Sequence, residues 1–142
     1  MIQYERMNKS TLEVAGIMLW WAEGTKSRRD IRWKNALTYP IEITNTNSKI
    51  ICIFLKYLRD IIGVPEQRIR LQLQIHEGDN QLELESYWSS ICDIPKERFQ
   101  KTIVRPTGNK IGKSKGTCKI RFADKEIYGK LQSSLDNLLL EL

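Results

Sequence analysis

Residues 10–24 read STLEVAGIMLWWAEG. Ser10 and Glu13 have the S-x-x-E spacing of a capping box, in which the serine side chain takes an N–H of the first turn and the glutamate reaches back. A helix is therefore predicted from about 11 to 22 or 23, stopped by Gly24. Leu12, Val14, Ala15, Ile17, Met18, Leu19 and Trp20 make it apolar on nearly every side. A helix of that kind is covered all round. In a small domain the first helix turns one side to the core, so the other side calls for a second copy of the chain. The run closes on a single carboxylate, Glu23, just before a basic stretch.

That stretch holds Lys26, Arg28, Arg29, Arg32 and Lys34 with Asp30 as its one acid. Between 96 and 121, nine basic residues accompany only Glu97, while Glu77, Asp79, Glu83 and Glu85 gather elsewhere. With a net charge of +6 over 142 residues, this segregation points to a face that binds a polyanion. The length fits one domain, 1–142, with a core of its own. At 41% apolar and 28% charged the composition excludes a disordered chain. The longest uncharged apolar run, 14–22, is far below the roughly 20 residues that cross a bilayer, so no membrane partner is expected. The opening MIQYERMNKS is too mixed and charged for a signal peptide. Cys52, Cys92 and Cys118 are odd in number and scattered, which argues against a disulfide framework and a zinc site. They are expected as reduced thiols in a cytoplasmic protein, packed as small hydrophobes.

Along the chain, Ile31 and Trp33 alternate in a short strand near 28–34. Tyr39, Ile41 and Ile43 alternate with Pro40, Glu42 and Thr44 in a second strand, with the proline near its start. Asn47 or Ser48 caps a helix over 49–62, whose stripe is Ile50, Ile51, Phe54, Leu55, Leu58 and Ile61, and Gly63 stops it. Ile69, Leu71, Leu73 and Ile75 then face one way, and Arg68, Arg70, Gln72 and Gln74 the other. This is the pattern of a sheet with one buried and one open face. Asp79 or Asn80 caps a third helix to about Cys92, with Leu84, Tyr87, Trp88 and Ile91 inward. A strand near 99–105 and the glycine- and lysine-rich loop 106–116 follow. Cys118, Ile120 and Phe122 alternate with Thr117, Lys119 and Arg121 in a last strand, and Asp124 caps a closing helix. The order predicts an α+β domain, with helices on one face of a mostly antiparallel sheet.

The outward strand residues are thus Arg68, Arg70, Gln72, Gln74, Lys119 and Arg121, with no Asp or Glu among them. Arginine can take O6 and N7 of guanine together, and glutamine N6 and N7 of adenine. Lysine and arginine at the margins hold phosphates. A solvated sheet face would show Lys, Glu and Thr at least as often, so the set favours nucleic acid.

Read back from Gly24, LWWAEG resembles the second part of the motif of the LAGLIDADG homing endonuclease family. Glu23 takes the place of its last acid and Ala22 that of its small residue. IEITNTNSKIICIFLKYLRDIIGV is similar to the second strand and second helix of the family's αββαββα core. GTCKIRFADKEIYGKLQSSLDNL is similar to its last strand and closing helix. Together these pieces cover 53 of the 142 residues, and 77–115 stands as an inserted helix and strand. One motif per chain implies a homodimer, paired through helix 1 by Ala15, Gly16, Leu19, Trp20 and Ala22, on double-stranded DNA.

The resemblance implies a site-specific, Mg²⁺-dependent DNA endonuclease. Phosphodiester hydrolysis requires an activated water and charge neutralisation at the phosphate, which carboxylate-bound Mg²⁺ supplies. Glu23 and Gly24 are the implied metal residues, with one Glu23 from each chain. Asn45 matches a polar position that orients water, and Lys49 a nearby basic one. Both also read plainly as a turn asparagine and a helix-surface lysine. The family's lysine near the site has no counterpart in the final LLLEL, which leaves Lys26 or Lys101 for that role. Met18 and Trp21 replace a small and an acidic residue of the motif. These departures keep open a catalytically inactive DNA-binding protein of the same fold, a regulator or a maturase-like protein. His76, with Glu77 and Asp79 nearby, reads as a turn residue rather than a metal ligand.

Overall fold

The computed structural model describes residues 7–24, 28–29, 37–106 and 115–142, with backbone alone at 28, 29 and 37. Helix α1 spans Lys9–Glu23. It starts two residues before the predicted point because Asn8, not Ser10, caps it. The Asn8 carboxamide oxygen accepts the N–H groups of Ser10 and Thr11 at 2.8 and 3.4 Å, two of the donors a helix start leaves open.

Strands β1 (Arg28–Arg29) and β2 (Leu37–Thr38) pair antiparallel. The rest of the predicted strand near 28–34 lies outside the described residues. The chain continues into β3 (Pro40–Asn45), where Ile41 and Ile43 are buried. Helix α2 (Ser48–Lys56) takes Asn47 as its cap and runs on as a π-helix over Tyr57–Ile62, where a single α-helix was expected. The wider turn carries Tyr57 and Leu58 into the core, and Gly63, at φ 77°, ends it. Only a residue tolerant of the left-handed region fits there.

Strand β4 is Arg70–His76, helix α3 Gln81–Cys92, β5 Ile103–Arg105, β6 Thr117–Ala123 and α4 Lys125–Leu140. The four-stranded sheet has the order β3-β6-β4-β5. β6 is antiparallel to both β3 and β4, whereas β5 lies parallel to β4. The sheet is therefore mixed. A parallel pair needs a crossover, and α3 supplies it.

The inner face of the sheet buries Ile41, Ile43, Leu71, Leu73, Ile75, Cys118 and Ile120. Trp20 of α1, Phe54 of α2, Trp88 of α3 and Leu131 of α4 join the same core. Burying such apolar side chains is the main stabilising contribution, about 1.5–3 kcal/mol for each large one. Trp20 stands edge-on to Tyr128 of α4, with ring centroids 5.3 Å apart.

Two polar devices tie the inserted segment down. Arg59 donates to the carbonyls of Cys92 and Asp93 at the end of α3 (2.9 and 3.1 Å) and to both carboxylate oxygens of Glu66. Arg98 donates to the same Glu66. Trp88 Nε1 donates to the Lys115 carbonyl at 2.8 Å. The three cysteines, distant in sequence, meet in the core as free, buried thiols. Hydrogen bonding with Cys92 and then burial push the Cys52 thiol far above the usual range, and hydrogen bonding with Cys118, offset in part by Cys52, together with burial does the same for Cys92. Thiols of that kind are unreactive. No helix among the described residues is long and apolar enough to cross a membrane.

Candidate nucleic-acid interface and the Glu23 position

Alternation along three paired strands sets the open face of the sheet. Register aligns Arg70, Arg121 and Glu42 in one row across β4, β6 and β3, and Gln72, Lys119 and Thr44 in the next. Gln74 lies opposite Thr117. Five of the six residues expected outward, Arg70, Gln72, Gln74, Lys119 and Arg121, thus come together on β4 and β6. Arg68 does not. It sits in a 3₁₀ turn before β4, where it pairs with Asp124 and donates to the Ala123 carbonyl.

An acid-free face was expected, and this is corrected by Glu42. Its carboxylate stands 3.7 Å from Arg121 Nη2 and 3.9 Å from Lys119 Nζ. The signal was in the sequence, since Glu42 alternates with Ile41 and Ile43. Assigning it to the same face as Arg121 requires the register between β3 and β6, which periodicity alone does not supply.

Neighbouring donors differ in what they hold. Arg70 donates to the Gln67 and Ile69 carbonyls, and Gln72 Nε2 donates to the Lys101 carbonyl at 3.0 Å. Lys119 and Arg121 face only Glu42 among the described charged groups. Lys26, Arg32 and Lys34 lie outside the described residues, as do the side chains of Arg28 and Arg29.

Glu23 ends α1 with its side chain exposed. Gly24 follows in extended backbone, gives its N–H to Trp20 O at 2.8 Å and forms an antiparallel bridge with Ile43 of β3. A Cβ at Gly24 would stand 2.4 Å from Trp20 O, so the join of helix to sheet requires a glycine. The bridge ties Glu23 to the edge of the sheet. Asn45, two residues along β3, accepts the Asn47 N–H at 2.8 Å through its side-chain oxygen, the plain turn role. That leaves its side-chain amide N–H groups to offer. Lys49 is exposed in the first turn of α2.

Lys101 lies at the far edge. The row from Gly24 runs through Ile43, Ile120 and Leu71 to Phe99, four strand spacings or about 19 Å. Within one chain, Lys101 therefore cannot serve Glu23. Lys119 stands next to Ile120 in that row, only about 10 Å from Gly24 by the same spacing. His76 is the last residue of β4, paired with Arg105 of β5, and its backbone N–H donates to Asp79 Oδ2 at 2.9 Å across the turn that follows. Among the described residues, no three His, Cys, Asp or Glu side chains form a metal-holding group. One chain offers the single carboxylate of Glu23, and a fit to Mg²⁺ requires a second copy.

Two of the expected pairing residues are corrected. Gly16 is buried against Tyr57, whose Cγ would lie 2.0 Å from a Cβ at 16, and Trp20 is buried against Tyr128. Both serve their own chain. Leu19 and Ala15 are half-buried at the margin, and Ala22 is exposed. The exposed apolar residues of α1 are Val14 (48% exposed), Met18 and Trp21 (45%). Their spacing is i, i+4, i+7, one helical stripe, and Glu23, nine residues on from Val14, stands on the other side of the helix in its last turn.

Comparison with family models, with curated proteins and with solved structures returns no match.

Proposed function

We propose that this protein is a homodimeric, Mg²⁺-dependent, site-specific DNA endonuclease of the LAGLIDADG type. The observation that carries the reading is the exposed Glu23 in the last turn of α1, joined through Gly24 to the edge of a sheet whose open face bears Arg121, Lys119 and Gln74. Two copies meeting along α1 through Ala15, Leu19 and Ala22, with Val14, Met18 and Trp21 at the margin of the seam, would bring two Glu23 carboxylates together beneath the DNA. Glu23 of each chain, with the Gly24 carbonyl, would hold Mg²⁺, which would supply an activated water and charge neutralisation at the phosphate. Asn45 and Lys49 would stand nearby, Asn45 with its side-chain amide N–H groups to offer. The open faces of the two sheets then contact successive major grooves.

The test is Glu23→Gln, an isosteric change that removes the charge. The expected variant binds the same duplexes and has lost Mg²⁺-dependent nicking by at least about 100-fold, as for removal of an electrostatic catalytic group. Unchanged cleavage sinks the proposal. A second reading, a DNA-binding protein of this architecture without cleavage, is favoured by the position of Lys101 on the far edge of the sheet. Tight, salt-dependent binding with no cleavage of any member of a randomised duplex library in Mg²⁺ would establish it.

A further inference from the structure

Glu42 is an acid at the β3 side of a basic face, which weakens attraction for phosphate unless it does something else. Its side chain is only 15% exposed, against 38% for Arg121. Of the pair, the carboxylate is the more covered and the guanidinium the more exposed. At 3.7 and 3.9 Å it is within ion-pair range of Arg121 and Lys119 but beyond direct hydrogen-bond length. Arg121 thus keeps its full fork of donors while a neighbouring charge restrains it.

No other arginine described on this side is in that state. Arg68 is taken by Asp124 and Ala123, and Arg70 by the carbonyls of Gln67 and Ile69. Gln72 is given to Lys101. Of the three arginines that the sequence groups together, two are thus committed to the protein and one, Arg121, keeps its donors beside a carboxylate. A restrained guanidinium loses less rotamer freedom when it binds, and guanine O6 and N7 match its fork.

We infer that Arg121 reads a guanine in the major groove of the DNA site and that Glu42 is its positioning residue. This rests on the proposed DNA-binding function and adds which residue sets specificity, and for which base.

The experiment is selection of bound duplexes from a randomised pool, with Ca²⁺ in place of Mg²⁺, for the wild-type chain, Arg121→Lys and Glu42→Gln. Circular dichroism checks that each is folded. The wild type is expected to fix a G·C pair at one position of each half-site. Arg121→Lys keeps the charge and removes the fork, so about tenfold or more of the preference at that position should vanish. Glu42→Gln should relax the same position while binding of random duplex holds or rises, since a negative charge has left the face. A purely structural role for Glu42 predicts a uniform loss across sequences instead. If both variants select the wild-type site, the inference is overturned and DNA binding stands. If the wild type recovers no duplex, both fall.

Discussion

A methyl group at position 16 would stand 2.0 Å from Cγ of Tyr57 and 2.2 Å from Cδ1. Neither ring atom can retreat, because Tyr57 is buried and lies in the π-helical segment that follows α2. Gly16→Ala is therefore expected to destabilise the fold by about 1–3 kcal/mol or more through overpacking, measured as a lower urea midpoint at unchanged m. A glycine that served only a seam between two chains would show wild-type monomer stability and altered association instead. Burial also pushes the Tyr57 phenol up to about 12, offset in part by a hydrogen bond with Ser134 and reinforced by Glu13. At this scale the sequence is legible only up to residue type. Ala15, Gly16 and Ala22 all read as small residues on an apolar helix, yet Ala22 is exposed, Ala15 half-buried and Gly16 under a tyrosine ring. Which neighbour a small residue admits depends on chain 40 residues away, and no local pattern encodes it.

Among the elements, Arg59 joins three pieces of chain that strand pairing leaves apart: the π-helix, the turn at Glu66 and the end of α3. Its loss leaves two carbonyls and a carboxylate short of donors, so Arg59→Ala is expected to cost about 1–2 kcal/mol, since the cluster is partly solvated. Hydrogen bonds from Arg59, against some desolvation, and then from Arg98 hold Glu66 below the usual carboxylate range. The Ile127 N–H, helped by Arg68, does the same for Asp124. A lowered folded-state pKa contributes stability that is full above the unfolded value and is lost as pH falls through the folded one. Chemical denaturation as a function of pH should therefore show stability declining below about pH 4.3, with a shallower decline in Glu66→Gln and Asp124→Asn. A decline of unchanged steepness in both variants would refute this assignment. Strands β3, β4 and β6 and the caps at Asn47, Asn80 and Asp124 were legible, because alternation and capping are local. The π-helix and the parallel docking of β5 were not. The first keeps the apolar stripe of an α-helix, and the second depends on how α3 crosses the sheet. Register was the third omission, and it hid Glu42.

At the scale of the whole molecule, α1 carries both the proposed site and an exposed apolar stripe at the proposed dimer seam, so one substitution can test both without touching Glu23. Met18 lies at the centre of the stripe between Val14 and Trp21 and is exposed in the single chain. Met18→Lys should leave the monomer's thermal unfolding close to wild type, because an exposed methionine contributes little to its own core. In a dimer it would bury two unpaired ammonium groups at the seam, a cost large enough to abolish pairing. Sedimentation should therefore show a dimer for the wild type and a monomer for the variant. DNA binding then provides a second reading of the same change. The slope of log affinity against log salt counts the phosphates neutralised, and a monomer presents one basic sheet where the dimer presents two. The slope for Met18→Lys is expected at about half the wild-type value, with double-strand cleavage lost because each Glu23 lacks its mate. A variant that sediments as the wild type does, or a monomeric variant with the full salt slope and intact cleavage, would separate the stripe from the site and return the α1 face to another partner.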